Sequence, residues 1–422
     1  MPVTAFPSVA EVASATPPDR DRAIDVIRIG SLLGVIAGHT LMATSIITDE
    51  VFHWDNLLTT SVVFQALTWV FQIMPLFFFA GVAATVQTYH GNWGGWLLKR
   101  CTRLYRPVFY YLAFWAVALT VLHRTMPVHV YEPIAGISTQ LLWFLGAYVL
   151  VLAAVPLLAR VTSTARLAGA VVLGYGFVAV VDAVRLADPG LGCLGYANLS
   201  VWLLPGLFGV AYRRGLLRPP GAAVLGVMML AANMALLRFG PYELSLVGIE
   251  GQHLKNMTPP SLLLAGHAIM MCAFAIAAAP ALTRWATRPR VWWLTVIGNS
   301  GAMTLYLWHM PALLGMHLAF DRLGLPRYPG QPHFVALSIA QLVIMAAVVA
   351  ALFVALRPLE NAPLPCWDGG AVTAARSTVV GMLLCVAGAA TLASVGWGLK
   401  GPGVWCVAAL LAALAAARSL AR

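Results

Sequence analysis

Three ionisable residues stand in one otherwise apolar stretch near the N-terminus, from Arg20 to Met42: Asp25, Arg28 and His39. Ionisable groups inside a membrane-crossing helix are costly and mark a functional site by default. Arg28 and His39 are eleven residues apart. At 100° per residue this is three turns plus about 20°, so on a helix they share one face. The helical rise sets them roughly 16 Å apart along the axis. The arginine then lies toward one membrane surface and the histidine near mid-depth. A cationic anchor at the rim and a base at the centre suit chemistry inside the membrane on a substrate with a charged end. A neutral imidazole can take the proton of an attacking hydroxyl. Asp25 and Arg28 sit at i, i+3 and can pair, which makes the arginine tolerable and orients it. Taken alone, His39 also fits a polar contact between helices.

A second set of cations follows the next apolar run. Arg100, Arg103 and Arg106 recur every three residues in KRCTRLYRP and form one drifting stripe on a helix. The arginine fork grips two phosphate oxygens at once, so such a stripe suits the pyrophosphate and 3′-phosphate of coenzyme A. By spacing alone, anchoring to anionic lipid explains it better. Late in the chain, Tyr306 and His309 lie one turn apart. Counted from the cytoplasmic side, His309 comes about 25 Å in, close to the outer surface, where it suits acceptor binding or an aromatic belt. Trp143 and Phe144 are candidates for lining an acyl path, or for the same kind of belt. Asp182 and Arg185 read as a local ion pair, and His267 as a satisfied polar contact.

The elements that must position these residues are membrane helices. The chain has 422 residues, of which 60% are hydrophobic and only 10% charged. Soluble proteins carry about a quarter charged residues. Apolar runs of about 20 residues recur, each long enough to span a bilayer. The expected fold is all-α: a polytopic integral membrane helical bundle of about 10–12 transmembrane helices. Candidate spans include Ile24–Ile47, Ser61–Val86, Pro107–His123, Gln140–Leu158, a short and tilted or re-entrant Asn198–Tyr212, and Trp292–Phe320. With the N-terminus inside, only seven of the 26 Lys and Arg fall outside: Arg124, Arg185, Arg238, Lys255, Arg322, Arg327 and Lys400. That bias sets a cytoplasmic N-terminus, with the loops around Glu243, Glu250 and His253 outside. Residues 1–19 read as a disordered cytoplasmic tail, and the first apolar helix as a retained span rather than a cleaved signal. The six cysteines show no metal-ligand or redox spacing, and no metal is expected. The net charge of +11 is spread between spans and does not indicate nucleic acid.

In order along the chain, these motifs resemble the membrane-bound acyltransferase family 3, the bacterial O-acyltransferases of surface glycans and lipids. Arg28 and His39 match its R-x10-H arrangement, and Asp25 the aspartate before it. MPLFFFAG (Met74–Gly81), Arg100-x-x-Arg103 with RLYRP, LWFL (Leu142–Leu145), NSGAMTLYLWHMP (Asn299–Pro311) and RPLE (Arg357–Glu360) are similar to its later elements. Ser300–Gly301 departs from the Ser-Tyr pair usual in relatives. The resemblance implies an acyltransferase 3 transmembrane domain over 20–360, with 361–422 as an extension of two further helices. It also implies a bacterial plasma membrane enzyme that moves an acyl group, most plausibly acetyl, from cytosolic acyl-CoA. The implied acceptor is a hydroxyl of a glycan, glycolipid or glycosylated metabolite. In that reading His39 is the base and Arg100, Arg103 and Arg106 bind the donor.

A reading of another class is a proton-coupled transporter or flippase of a glycolipid or sugar, with the buried His and Arg as its site. A carrier of neutral sugar has no need of a phosphate clamp. GLGCLG (Gly190–Gly195) has no strand before it and is not a dinucleotide site.

Overall fold

A computed structural model of the chain describes residues 6–249 and 254–421. Glu250, His253 and Arg422 therefore lie outside the described residues. The protein is 75% helical and is a polytopic helical bundle, as expected. Helix α1 (Val9–Ala15) precedes α2 (Arg22–Met42), and a hairpin of β1 (Ala43–Thr48) and β2 (Val51–Asn56) follows. The next crossing is broken into α3 (Val62–Phe71) and α4 (Met74–Thr85), and α5 (Trp93–Thr125) is one long helix. Then come α6 (Val128–Ile137), α7 (Leu142–Ala153), the single turn α8 (Val155–Leu158) and α9 (Thr164–Ala187). A 3₁₀ run, Pro189–Trp202, leads into α10 (Leu203–Arg213), followed by α11 (Pro219–Phe239) and α12 (Leu262–Trp285). The chain continues through α13 (Pro289–Asn299), α14 (Ala302–Arg322), α15 (Phe334–Asn361), α16 (Ala374–Ser394) and α17 (Pro402–Ser419).

Among the described residues, eleven helical segments are long and apolar enough to cross a membrane. Helix α14 is not one of them, although it has 21 residues, because His309, His317, Asp321 and Arg322 dilute it. Those histidines are almost fully buried, so the polar helix is tolerated inside the bundle, against α2, α5 and α15.

Several elements differ from the sequence expectation. The segment read as a disordered tail carries α1, started by a capping box between Ser8 and Glu11. Its Val12 packs with Val26, Ala286 and Trp292, and the indoles of Trp292 and Trp293 donate to Thr16 Oγ1 and the Pro7 carbonyl at 2.7 Å each. Helix α2 ends at Met42 rather than Ile47, which places His39 in its last turn. The β-branched run that follows pairs as a hairpin instead, turning through Asp49 and Glu50 with φ of 51° and 62°. Helix α5 begins at Trp93 and passes through Pro107, so the arginine stripe and the span are one helix. Proline removes one ladder bond, and tertiary bonds hold the helix on both sides of it: Tyr105 to Thr391 at 3.2 Å and Tyr111 to the Ser138 carbonyl at 2.8 Å. The short sixth span is lengthened by the 3₁₀ run to 24 residues, Gly190–Arg213.

The C-terminal pair belongs to the bundle. Helix α16 packs on α5 and α7, where a Cβ added at Gly146 would come 2.6 Å from the Gly388 carbonyl oxygen.

Candidate functional site

One face of α2 runs through Asp25, Arg28, Leu32, Val35 and His39, at the three- and four-residue spacing that stacks side chains. It passes along two cavities. The first, about 510 Å³, is lined by Asp25, Arg28, Leu32, Arg103, Phe144, Tyr148, Tyr306 and Glu360, among others. The second, about 390 Å³, is lined by Val35 and His39 with Trp54, Gln72, Trp143, Met257 and again Tyr306. Tyr306 thus stands between the two. Its ring packs on Phe144 at 5.3 Å, and its hydroxyl donates to the Leu141 carbonyl at the start of α7.

His39 and His309 are brought together. His39 Nδ1 lies 2.9 Å from His309 Nε2, with the rings stacked at 5.2 Å. His309 Nδ1 lies 3.1 Å from the Leu305 carbonyl, which can only accept. That nitrogen therefore carries the proton and His309 Nε2 is the acceptor. It follows that His39 Nδ1 donates, and that His39 Nε2 keeps its lone pair. A base with its tautomer fixed by a second group is the arrangement general-base chemistry needs. His309 is 1% exposed and lies level with His39 in the last turn of α2, so helices enclose it and it is not part of an exposed aromatic belt. The segment that carries it is broken at Ser300–Gly301, between α13 and α14.

The first cavity gathers cations, though not the full stripe. Asp25 is gripped by the fork of Arg20 at 2.6 and 2.9 Å, while its contact to Arg28 is 4.0 Å. The expected Asp25–Arg28 pair is therefore the weaker one, and Arg28 is left to face the cavity. Arg103 is exposed along it, with no hydrogen bond or ion pair among the described residues. Arg100 folds back over the Trp96 ring at 3.9 Å and bonds Thr88, off the cavity. Arg106 is buried and committed to Asp368 and to the Glu360 carbonyl. The spacing rule shows which residues share a face but not which find an acid. Asp368, which neutralises Arg106, lies far along the sequence in the connection to α16.

Trp143 and Phe144 divide between the cavities, Phe144 facing the first and Trp143 the second, on either side of Tyr306. Sequence reasoning missed three supporting residues. The Glu360 carboxylate accepts from Met303 N, Thr304 N and Thr304 Oγ1 at 3.3, 2.8 and 2.8 Å, capping α14, whose own N-cap is Gly301. Arg327 is 2% exposed and donates to the Leu41 and Ala43 carbonyls, closing the end of α2 just after His39. Burial brings its guanidinium down to about 10. Gln72 occupies the α3–α4 break, inside a stretch read as one continuous span, with Pro75 at the start of α4. RPLE was the signal available for Glu360, and Pro75 for the break at Gln72; nothing local marked Arg327.

The remaining candidates are structural. Asp182 pairs with Arg185 at 2.9 Å and also accepts from Asn198, Tyr242 and Leu262 N, tying α9 to α12. His267 Nε2 donates to the Gln72 carbonyl at 3.1 Å, the polar contact expected of it.

Comparison with the curated proteins and with the solved structures finds no match. A family model, described as an acyltransferase domain, matches residues 21–356 and so takes in both cavities and the histidine pair. With that match spanning most of its length, the chain belongs to acyltransferase family 3 and is a multi-pass membrane acyltransferase.

Proposed function

We propose that the protein is a transmembrane O-acyltransferase that takes an acyl group, most simply acetyl, from acyl-CoA in the first cavity and passes it to an acceptor hydroxyl in the second. The observation that carries this reading is the α2 face that leads from Arg28 in one cavity to His39 in the other past the shared Tyr306. Arg28 and Arg103 are the cations free to meet donor phosphates. Trp54, Asp55, Asn56 and Gln140 give the second cavity the mixed aromatic and polar lining that suits a glycan, glycolipid or glycosylated metabolite.

His39 Nε2 takes the hydroxyl proton as the acceptor oxygen attacks the thioester carbonyl. The tetrahedral intermediate collapses with cleavage of the C–S bond, and the imidazolium returns the proton to the departing thiolate. His309 Nε2 holds the His39 Nδ1 proton throughout. The charge bias of the loops supports a cytoplasmic first cavity and N-terminus, in a bacterial plasma membrane.

The test is transfer from labelled acetyl-CoA into a total envelope extract. His39→Ala is expected to remain inserted and to lose about 10²-fold or more in turnover, the range for a missing general base. Near-normal turnover in that variant removes His39 from the role.

A further inference from the structure

Among the described residues that line the second cavity, Gln72 is a buried polar side chain with few partners. Gln72 is only 4% exposed. Its amide nitrogen has a single contact, to the Met257 thioether at 3.5 Å, and its side-chain oxygen receives no hydrogen bond among the described residues. Sulfur is a weak acceptor. The amide is thus left open to the cavity that it lines, free to hydrogen-bond what enters there.

The local backbone is built to present it. Gln72 ends α3 with ψ of 64°, outside the helical range, and the chain restarts as α4 at Met74. The carbonyl freed by that break is taken by His267 Nε2, which fixes the segment from α12. Helix α2 meets the break through glycine: a Cβ placed on Gly38 would lie 3.2 Å from Phe71 Cβ. The absence of a side chain at Gly38 thus lets Phe71 and Gln72 close on the last turn of α2, next to His39. Both Gln72 and His39 line the same cavity.

We propose that Gln72 is an acceptor-binding residue, its amide hydrogen-bonding a second oxygen function beside the hydroxyl that His39 deprotonates. A primary amide offers donors and an acceptor together, so it matches a neighbouring hydroxyl in either sense. The acceptor class is then an alcohol flanked by another oxygen, as in a vicinal diol, with an apolar part against Met42, Met74 and Met310. A plain alkanol lacks that second oxygen. The inference rests on the reading of this cavity as the acceptor site.

The test compares wild type with Gln72→Leu and Gln72→Glu, using labelled acetyl-CoA and a titrated envelope extract. Gln72→Leu should raise the half-saturating amount of extract by about tenfold or more, the cost of one buried hydrogen bond, with the KM for acetyl-CoA unchanged. Gln72→Glu, which keeps an acceptor oxygen, should fall between. A rise in donor KM with unchanged extract saturation overturns the proposal. A second measurement needs no turnover. In a background with the exposed Cys193 and Cys366 changed to serine, Gln72→Cys should react with a small polar thiol reagent, and the extract should slow that reaction. A cysteine there that does not react, or that reacts at the same rate with extract present, overturns the proposal. Protection of Gln72→Cys by an extract to which the wild type never transfers an acyl group counts against the acyl-transfer reading instead.

Discussion

Replacing His309 with phenylalanine separates the ring from its nitrogen. Phenylalanine keeps an aromatic face against His39, where the rings now stack at 5.2 Å, but removes the Nε2 that accepts from His39 Nδ1 at 2.9 Å. The His39 donor is then left against carbon. An unpaired buried donor costs about 1–3 kcal/mol. His39 escapes that cost by moving its proton to Nε2 or by turning its ring, and either change removes the lone pair from the cavity. If the full cost appears in the barrier, at 1.36 kcal/mol per tenfold, turnover falls by roughly 5- to 150-fold. The KM for acetyl-CoA should stay constant, because no cation of the first cavity is touched. His309→Gln restores a side-chain oxygen able to accept and should recover part of the loss. Initial rates of transfer from labelled acetyl-CoA, on variants matched for thermal midpoint, give the comparison. Equal rates for the two variants, or a phenylalanine variant within twofold of wild type, would refute the assignment of His309 as the group that fixes the His39 tautomer.

Other variants address the supporting structure. Arg103→Ala should raise the KM for full acetyl-CoA by about tenfold while leaving a truncated pantetheine donor unaffected; Arg100→Ala, which lies off the cavity, should leave both donors close to wild type. Glu360→Ala removes three bonds from the start of α14 and should lower stability by about 1–2 kcal/mol, read as a drop in thermal midpoint, and turnover along with it. Gly146→Val forces a side chain into the Gly388 backbone and should lower the midpoint by an amount equivalent to about 1–3 kcal/mol; an unchanged midpoint means that α16 does not support α7 as described. In sealed, oriented vesicles that do not leak, acetyl-CoA should support transfer from the face bearing the first cavity and not from the other.

The site was legible in part because some of its signals are local. Arg28 and His39 fall on one helical face by counting, and α2 keeps them there. The number of crossings follows from apolar runs, which register hydropathy regardless of backbone path. A hydropathy window averages over single polar or small residues, and so those runs concealed the breaks at Gln72 and at Ser300–Gly301. The hairpin was absorbed into an overlong first span, although Thr, Ile and Val around Asp49–Glu50 carry a strand pattern. Partner choice was invisible altogether. Asp25 turns to Arg20 rather than Arg28, and Arg106 to Asp368, because three-dimensional proximity and not spacing decides which charges meet. The extension beyond the matched domain gave no hint that its Gly388 closes on α7.

The place of Tyr306 between the two cavities bears on the membrane as an electrical insulator. A charge that crosses a bilayer under 100 mV releases about 2.3 kcal/mol. An enzyme with an open passage from one cavity to the other would short-circuit that gradient between turnovers. The ring of Tyr306, with its hydroxyl fastened to the Leu141 carbonyl, occupies the junction. On the proposed function this junction is where the acyl group passes, and a smaller residue at Tyr306 should register first as a current across sealed vesicles and only afterwards as a change in catalysis.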